Sequence, residues 1–199
     1  MESLLDVLDS ITGTGCFCST GTLPFFFPQV RVDGGEELAF PLSSAQAQQL
    51  IELAEVAPYG QGTETVFDES VRKSWQLDVS QLRIDSEDWQ KFLKTLLQRI
   101  TKDLGVEGVV DAELYKLLLY GEGGHFKAHR DTEKLDAMFG TLIIKLPSRH
   151  EGGILHIRHG DEAVAVNFSD PQHTYDFQYA ALFADCEHEV TPVTSSSFH

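Results

Sequence analysis

Three residues in this chain have the types and spacing to hold a metal ion. His129 and Asp131 stand two apart at the end of Tyr120-Gly-Glu-Gly-Gly-His-Phe-Lys-Ala-His-Arg-Asp-Thr132, and His188 follows far downstream in Asp185-Cys-Glu-His-Glu-Val190. On an extended strand, side chains two apart point to the same face. His129 and Asp131 could therefore offer an imidazole nitrogen and a carboxylate oxygen to one ion, with His188 as a third donor. Two histidines and one carboxylate grouped on one side of a metal leave positions open opposite, a donor set suited to non-haem Fe(II) and dioxygen. The chain has eight histidines, and the ordinary alternative for any one of them is a solvated ring beside an acid.

The surrounding pattern says how such donors would be held. From residue 110 onward, short apolar runs alternate with Gly, Pro, Asp and Ser, which predicts strands at 113–120, 138–146, 153–159, 162–168, 175–179, 181–186 and 188–193. The strand ending at Tyr120 turns through glycines 121, 123 and 124 into the His-x-Asp pair. Ahead of these lies an amphipathic helix opened by Ser86, with Trp89, Phe92, Leu93, Leu96, Leu97, Ile100 and Leu104 on one stripe and Gly105 as its stop. It should buttress the outer face of a sheet. Further upstream, the spacing predicts a short helix over 2–11, strands at Cys16–Thr22, Gln29–Val32 and Glu37–Phe40 around an Asp33-Gly34-Gly35 turn, and a helix from Ala45 to Val56 capped by Ser43 or Ser44. A loop from Pro58, either a lid or a solvated connector, runs to a strand at 71–77. The fold class is α+β, in a single domain over residues 1–199 whose core lies mainly at 110–195.

Composition bounds the partners. Hydrophobic content of 42% and charged content of 23% are those of a soluble globular protein. The formal charge of −16 argues against nucleic acid and against anionic membranes, while leaving room for a local positive pocket. Cys16, Cys18 and Cys186 match no zinc framework and read as small buried thiols. No signal-peptide pattern opens the chain and no apolar run is long enough to span a bilayer. The expectation is a soluble, intracellular, cytoplasmic protein; nothing in the sequence assigns an oligomeric state.

Taken together, Tyr115 to Lys134, Phe139-Gly-Thr-Leu-Ile-Ile-Lys-Leu-Pro147, Glu151-Gly-Gly-Ile-Leu155 and His188-Glu-Val-Thr-Pro192 resemble the prolyl 4-hydroxylase-like branch of the Fe(II)/2-oxoglutarate-dependent dioxygenases. The resemblance covers roughly residues 110–195. It implies a double-stranded β-helix, or jelly roll, with His129, Asp131 and His188 as iron ligands. It also implies 2-oxoglutarate as co-substrate, O2 as oxidant, and succinate and carbon dioxide as products. No general base is then required, so Glu187 and Glu189 need no proton-transfer role.

One departure stands out. The branch usually supplies Arg or Lys nine or ten residues after the second histidine, to hold the far carboxylate of 2-oxoglutarate. Here those positions are Ser197 and Phe198, and the sequence ends at His199. Lys145, fourteen residues after Asp131, occupies a position where related enzymes place a tyrosine or lysine for the same purpose, and a lysine within an apolar strand is unusual. Tyr120 resembles the tyrosine that also reaches the co-substrate. An outward-facing lysine and a packing tyrosine are the alternatives. On the substrate side, Arg72, Trp75, Phe126 and Arg130 are the candidates, with Arg72 suited to a carboxylate. The remaining histidines (125, 150, 156, 159, 173 and 199) read as surface or turn residues. The expected activity is oxidation, most simply hydroxylation, of a small molecule or of an amino-acid side chain in a peptide. Two other readings stay open: a metal-binding jelly roll that has lost catalysis with its anchor, and a zinc hydrolase using the same triad, which lacks an evident general base.

Overall fold

Strands dominate the chain, and every pairing among the described residues is antiparallel. The computed structural model describes residues 15–61, 64–134 and 136–196, so the helix expected over 2–11 and residues 197–199 lie outside it. Strands β1 (Cys18–Leu23) and β2 (Val30–Val32) come first. Helix α1 (Ser44–Leu53) follows, its first turn capped by Ser43 Oγ, which accepts from the Gln46 amide at 3.3 Å. Short strands β3 (Glu55–Val56), β4 (Tyr59–Gln61), β5 (Glu64–Val66), β6 (Arg72–Lys73), β7 (Trp75–Asp78) and β8 (Leu82–Ile84) lead to helix α2 (Glu87–Leu104). The rest is strand: β9 (Lys116–Leu119), β10 (His125–His129), β11 (Gly140–Lys145), β12 (His150–Gly152), β13 (Leu155–His159), β14 (Glu162–Val166), β15 (Phe177–Phe183), β16 (Glu187–Val190) and β17 (Val193–Ser196).

Two sheets carry the candidate site, one with strand order β14-β13-β16-β10-β6 and one with order β1-β15-β11. They pack face to face, because Leu155 and Ile157 of β13 meet Ala180 and Leu182 of β15, with Ile143 and Val166 against them. The other face of β15 and β11 is covered by α2, whose Leu96, Ile100 and Leu104 pack on Tyr179 and Ala181 with Leu142 and Ile144. Strand alternation thus assigns Ile143, and with it Thr141 and Lys145, to the space between the sheets. The Phe25-Phe26 segment closes the end of α2: Phe25, Phe26 and Phe92 lie 5.1–5.2 Å from the fully buried Phe177 ring, and Trp89 lies 6.2 Å away. A third cluster joins α1 to β2, β7, β8 and β9 through Leu50, Val30, Val32, Leu77, Leu82 and Leu119. No helix among the described residues is long and apolar enough to cross a membrane.

The amphipathic helix opened by Ser86 forms as its periodicity predicts and ends where Gly105 takes the left-handed conformation, φ 68°. Several strand bounds differ from the sequence expectation. The runs 175–179 and 181–186 belong to one strand, β15, because it is buried on both faces and its Tyr-Ala-Ala-Leu stretch shows no alternation to read. The stretch 71–77 is instead two strands in different sheets, β6 pairing with β10 and β7 with β9, with Ser74 between them. Helix α1 stops at Leu53, since Ala54 is extended and Glu55–Val56 joins β7. The strand expected at Glu37–Phe40 reduces to one bridge, Arg31 to Glu37. The run 188–193 breaks at Pro192, which has no N–H for a ladder. The loop after α1 contains the β4–β5 hairpin. His125, His150, His156 and His159 sit on strands rather than turns. Of the three thiols only Cys186 is buried; Cys16 is exposed and Cys18 intermediate.

Candidate metal centre

His129 and His188 face each other across the β10–β16 ladder as register partners. Three steps along β10, from Phe126 to His129, match two along β16, from Val190 to His188, so β10 carries one extra residue. Such a bulge re-aims the side chains beyond it. Without it, Phe126 and His129 would lie on opposite faces; with it, their rings stack at 3.5 Å and 24°. The His129 and His188 rings are then 4.2 Å apart. Asp131 follows the strand, with Oδ2 3.8 Å from His188 Nε2. One ligand atom from each of the three residues lies within 4.8 Å of the others. Upstream, the turn before β10 is held tight by the Gly124 amide donating to the Gly121 carbonyl at 2.8 Å, and a Cβ on Gly124 would sit 2.6 Å from that oxygen. Only glycine fits there.

Hydrogen bonds set the imidazoles for coordination. His129 Nδ1–H donates to the Lys127 carbonyl at 2.8 Å and His188 Nδ1–H to the Cys186 carbonyl at 3.2 Å. A carbonyl accepts only, so both rings keep Nε2 as the free lone-pair atom, the tautomer a metal needs. Burial, and then the neighbouring His188, push the His129 imidazole down to about 4, which leaves it neutral at physiological pH. Thr141 Oγ1 donates to Asp131 Oδ2 at 2.6 Å and orients the carboxylate. This donor chemistry fits a divalent cation such as Fe(II) that takes mixed nitrogen and oxygen ligands.

Lys145 lies four residues beyond Thr141 on β11, so both share the inward face, roughly 13 Å apart along the strand. Its Nζ is buried and has no hydrogen-bond partner, and burial lowers its pKa to about 8 against the opposing pull of Asp176. A buried cation without a partner is costly, and a carboxylate from a ligand would satisfy it. Tyr120 is half-buried; burial raises its phenol pKa against the nearby Arg72 charge.

The substrate-side candidates separate. Phe126 is half-buried and stacked on His129. Arg72, offered by the sequence as a partner for a substrate carboxylate, is 8% exposed: Nε donates to Ser74 Oγ at 2.9 Å, Nη1 donates to the Pro58 carbonyl at 2.7 Å, and the guanidinium lies 4.4 Å over the Phe126 ring. It forms the outer layer of an Arg72–Phe126–His129 stack. Trp75 packs half-buried against the α1 cluster, and Arg130 is exposed beside Asp131.

Thr141, which donates to Asp131, is not among the candidates named from the sequence. The signal was present, since Thr141 and Lys145 share a strand face and both interrupt its apolar run. Thr141→Val, which keeps the shape and removes the donor, should lower Fe(II) affinity by about 10- to 100-fold while leaving the melting profile close to wild type; an anaerobic metal titration beside a thermal melt reads both.

No family model and no curated protein sequence matches the chain. Among solved structures it is similar to a prolyl-4-hydroxylase from Pseudomonas putida, with a TM-score of 0.52, 18% identity, and 89% of this chain and 86% of that chain covered. At that identity the likeness is one of fold.

Proposed function

We propose that this chain is an Fe(II)- and 2-oxoglutarate-dependent oxygenase of double-stranded β-helix architecture, acting on an amino-acid side chain or a comparable small molecule. One observation carries the reading: a His-Asp-His donor set and a buried, unpartnered ammonium, Lys145 Nζ, belong to the same inward space, linked through Thr141 on β11. A metal triad alone suits several chemistries; a triad with a recessed cation suits a metal-chelating 2-oxo acid that has a second carboxylate.

His129 and His188 would hold the ion through Nε2, with Asp131 as the anionic ligand. Bound there, iron, 2-oxoglutarate and dioxygen supply the oxidation, with succinate and carbon dioxide released. Lys145 would fix the far end of the co-substrate, and Tyr120, the residue after β9, would contact it. Arg72 would hold Phe126, and through it the His129 ring. Arg130, exposed beside Asp131, is the cationic candidate on the substrate side. The apolar residues of β13, β15 and β11 packed between the sheets would limit bulk water on the inner side of the centre.

The test is succinate formation from 2-oxoglutarate with Fe(II) and air, measured by mass spectrometry across proline-containing peptides and free amino acids; the fold neighbour makes prolyl peptides the first choice. Turnover suppressed by an inert 2-oxoglutarate mimic is expected. Fe(II) binding with no succinate across the panel would instead favour a metal-binding protein without catalysis.

Lys145 also predicts a pH profile. Its charged form grips the carboxylate, and the charged fraction falls as pH rises through about 8. Affinity for 2-oxoglutarate should therefore be full below that pH and decline above it, by up to about tenfold per pH unit. Asp176 opposes the loss of the Lys145 charge, while His150 is itself held below its usual pKa by burial and then by Lys145. Lys145→Arg should flatten the profile, because a guanidinium does not titrate there. Anaerobic titrations from about pH 6 to about pH 10 would show it, and a flat wild-type curve would remove Lys145 from the role.

A further inference from the structure

Among the described residues, two buried side-chain atoms have no hydrogen-bond partner, Lys145 Nζ and Gln178 Oε1, and they belong to residues directly opposite one another on β11 and β15. Opposed residues of an antiparallel pair project to the same face with Cβ atoms about 5 Å apart. Gln178 is 5% exposed, on the central strand of its sheet between Lys145 of β11 and Thr22 of β1. Buried polar atoms in folded proteins are nearly always satisfied. These two neighbours leave each other unsatisfied, although an amide oxygen and an ammonium are natural partners. The arrangement suits a third group received between them.

We propose that Gln178 is the second arm of a clamp for the distal carboxylate of the co-substrate, a role that rests on the oxygenase reading above. Lys145 donates to one carboxylate oxygen. The Gln178 carboxamide, whose nitrogen now makes only a long 3.4 Å contact with the Asn167 carbonyl, turns about its terminal torsion and donates Nε2–H to the other. The two ends of a carboxamide are nearly equal in shape, and rotation about that torsion is soft. A neutral donor beside the cation supplies the second hydrogen bond that a bidentate arginine would otherwise make. The clamp selects a 2-oxo diacid over a monoacid of equal length.

The experiment measures anaerobic binding of 2-oxoglutarate and of 2-oxopentanoate, its counterpart without the distal carboxylate, to the Fe(II)-loaded chain by calorimetry. Wild type, Gln178→Leu, Gln178→Glu and Lys145→Met are compared. Gln178→Leu should weaken 2-oxoglutarate binding by about tenfold or more, the worth of a hydrogen bond to a charged group, and leave 2-oxopentanoate unchanged. Gln178→Glu, nearly isosteric, should weaken 2-oxoglutarate further, because its carboxylate occupies Lys145 and repels the ligand. Unchanged 2-oxopentanoate binding by each variant reports an intact metal centre. Gln178→Leu or Gln178→Glu binding 2-oxoglutarate within twofold of wild type, while Lys145→Met loses it, overturns the role of Gln178 alone. Absence of 2-oxoglutarate binding by the wild-type chain overturns the oxygenase reading together with it.

Discussion

His188→Ala should lose Fe(II) affinity by more than about 100-fold and, with it, all 2-oxoglutarate-dependent succinate formation. The reason lies in where the ring sits. His188 is 6% exposed, its Nδ1 is anchored on the Cys186 carbonyl, and its Nε2 faces Asp131 at 3.8 Å. Removing a partner that merely orients a ligand already costs about 10- to 100-fold in metal affinity, so removing the ligand itself should cost more. Asp131→Ala should behave alike, because it deletes the anionic donor. Both variants should keep the wild-type circular dichroism spectrum, since neither residue belongs to a hydrophobic cluster. Anaerobic titration with Fe(II), or with Co(II) as a spectroscopic stand-in, reads the affinity directly. A His188→Ala chain that still binds iron within tenfold of wild type would mean that the triad is not the centre.

Phe177→Ala should destabilise the fold by about 3–5 kcal/mol, the range for emptying a buried aromatic site. Phe177 is wholly buried, with the rings of Phe25, Phe26, Trp89 and Phe92 around it. Those neighbours come from two separate chain segments, so a collapse that refilled the space would have to move both. Against a total stability of about 5–15 kcal/mol, the loss should lower the thermal midpoint by roughly 6–20 °C, which a melt followed by circular dichroism would detect. Phe177 also immediately precedes Gln178, opposite Lys145. Its loss should therefore weaken 2-oxoglutarate binding even at temperatures where the chain stays folded. A midpoint within about 2 °C of wild type would show that the aromatic cluster is not cooperative with the sheets.

How far the sequence reached depended on the range of each interaction. Helix α2 was legible because its signals are local: Ser86 at its start, an apolar residue every three or four positions, and a glycine stop. The three candidate donors could be named because such chemistry needs those residue types whatever the fold, although Asp131 lies beyond the end of β10 rather than on it. Lys145 was legible as an anomaly, a charge within an apolar run.

What the sequence left open concerns pairing. The one-residue bulge in β10, which stacks Phe126 on His129, depends on how β10 meets β16, some sixty residues later. The burial of Arg72 follows from β6 leaving the β7 sheet to pair with β10. Gln178 had no signal of its own, because its meaning lies in the register that sets it opposite Lys145, thirty-three residues away. By itself, then, the sequence determined which residues could do the chemistry and which short segments would be helix or strand, through periodicities of neighbouring residues. Tertiary structure decided which side chains share the space around those residues, because strand register is settled by competition among distant partners, and a shift of one residue exchanges every inward side chain for an outward one.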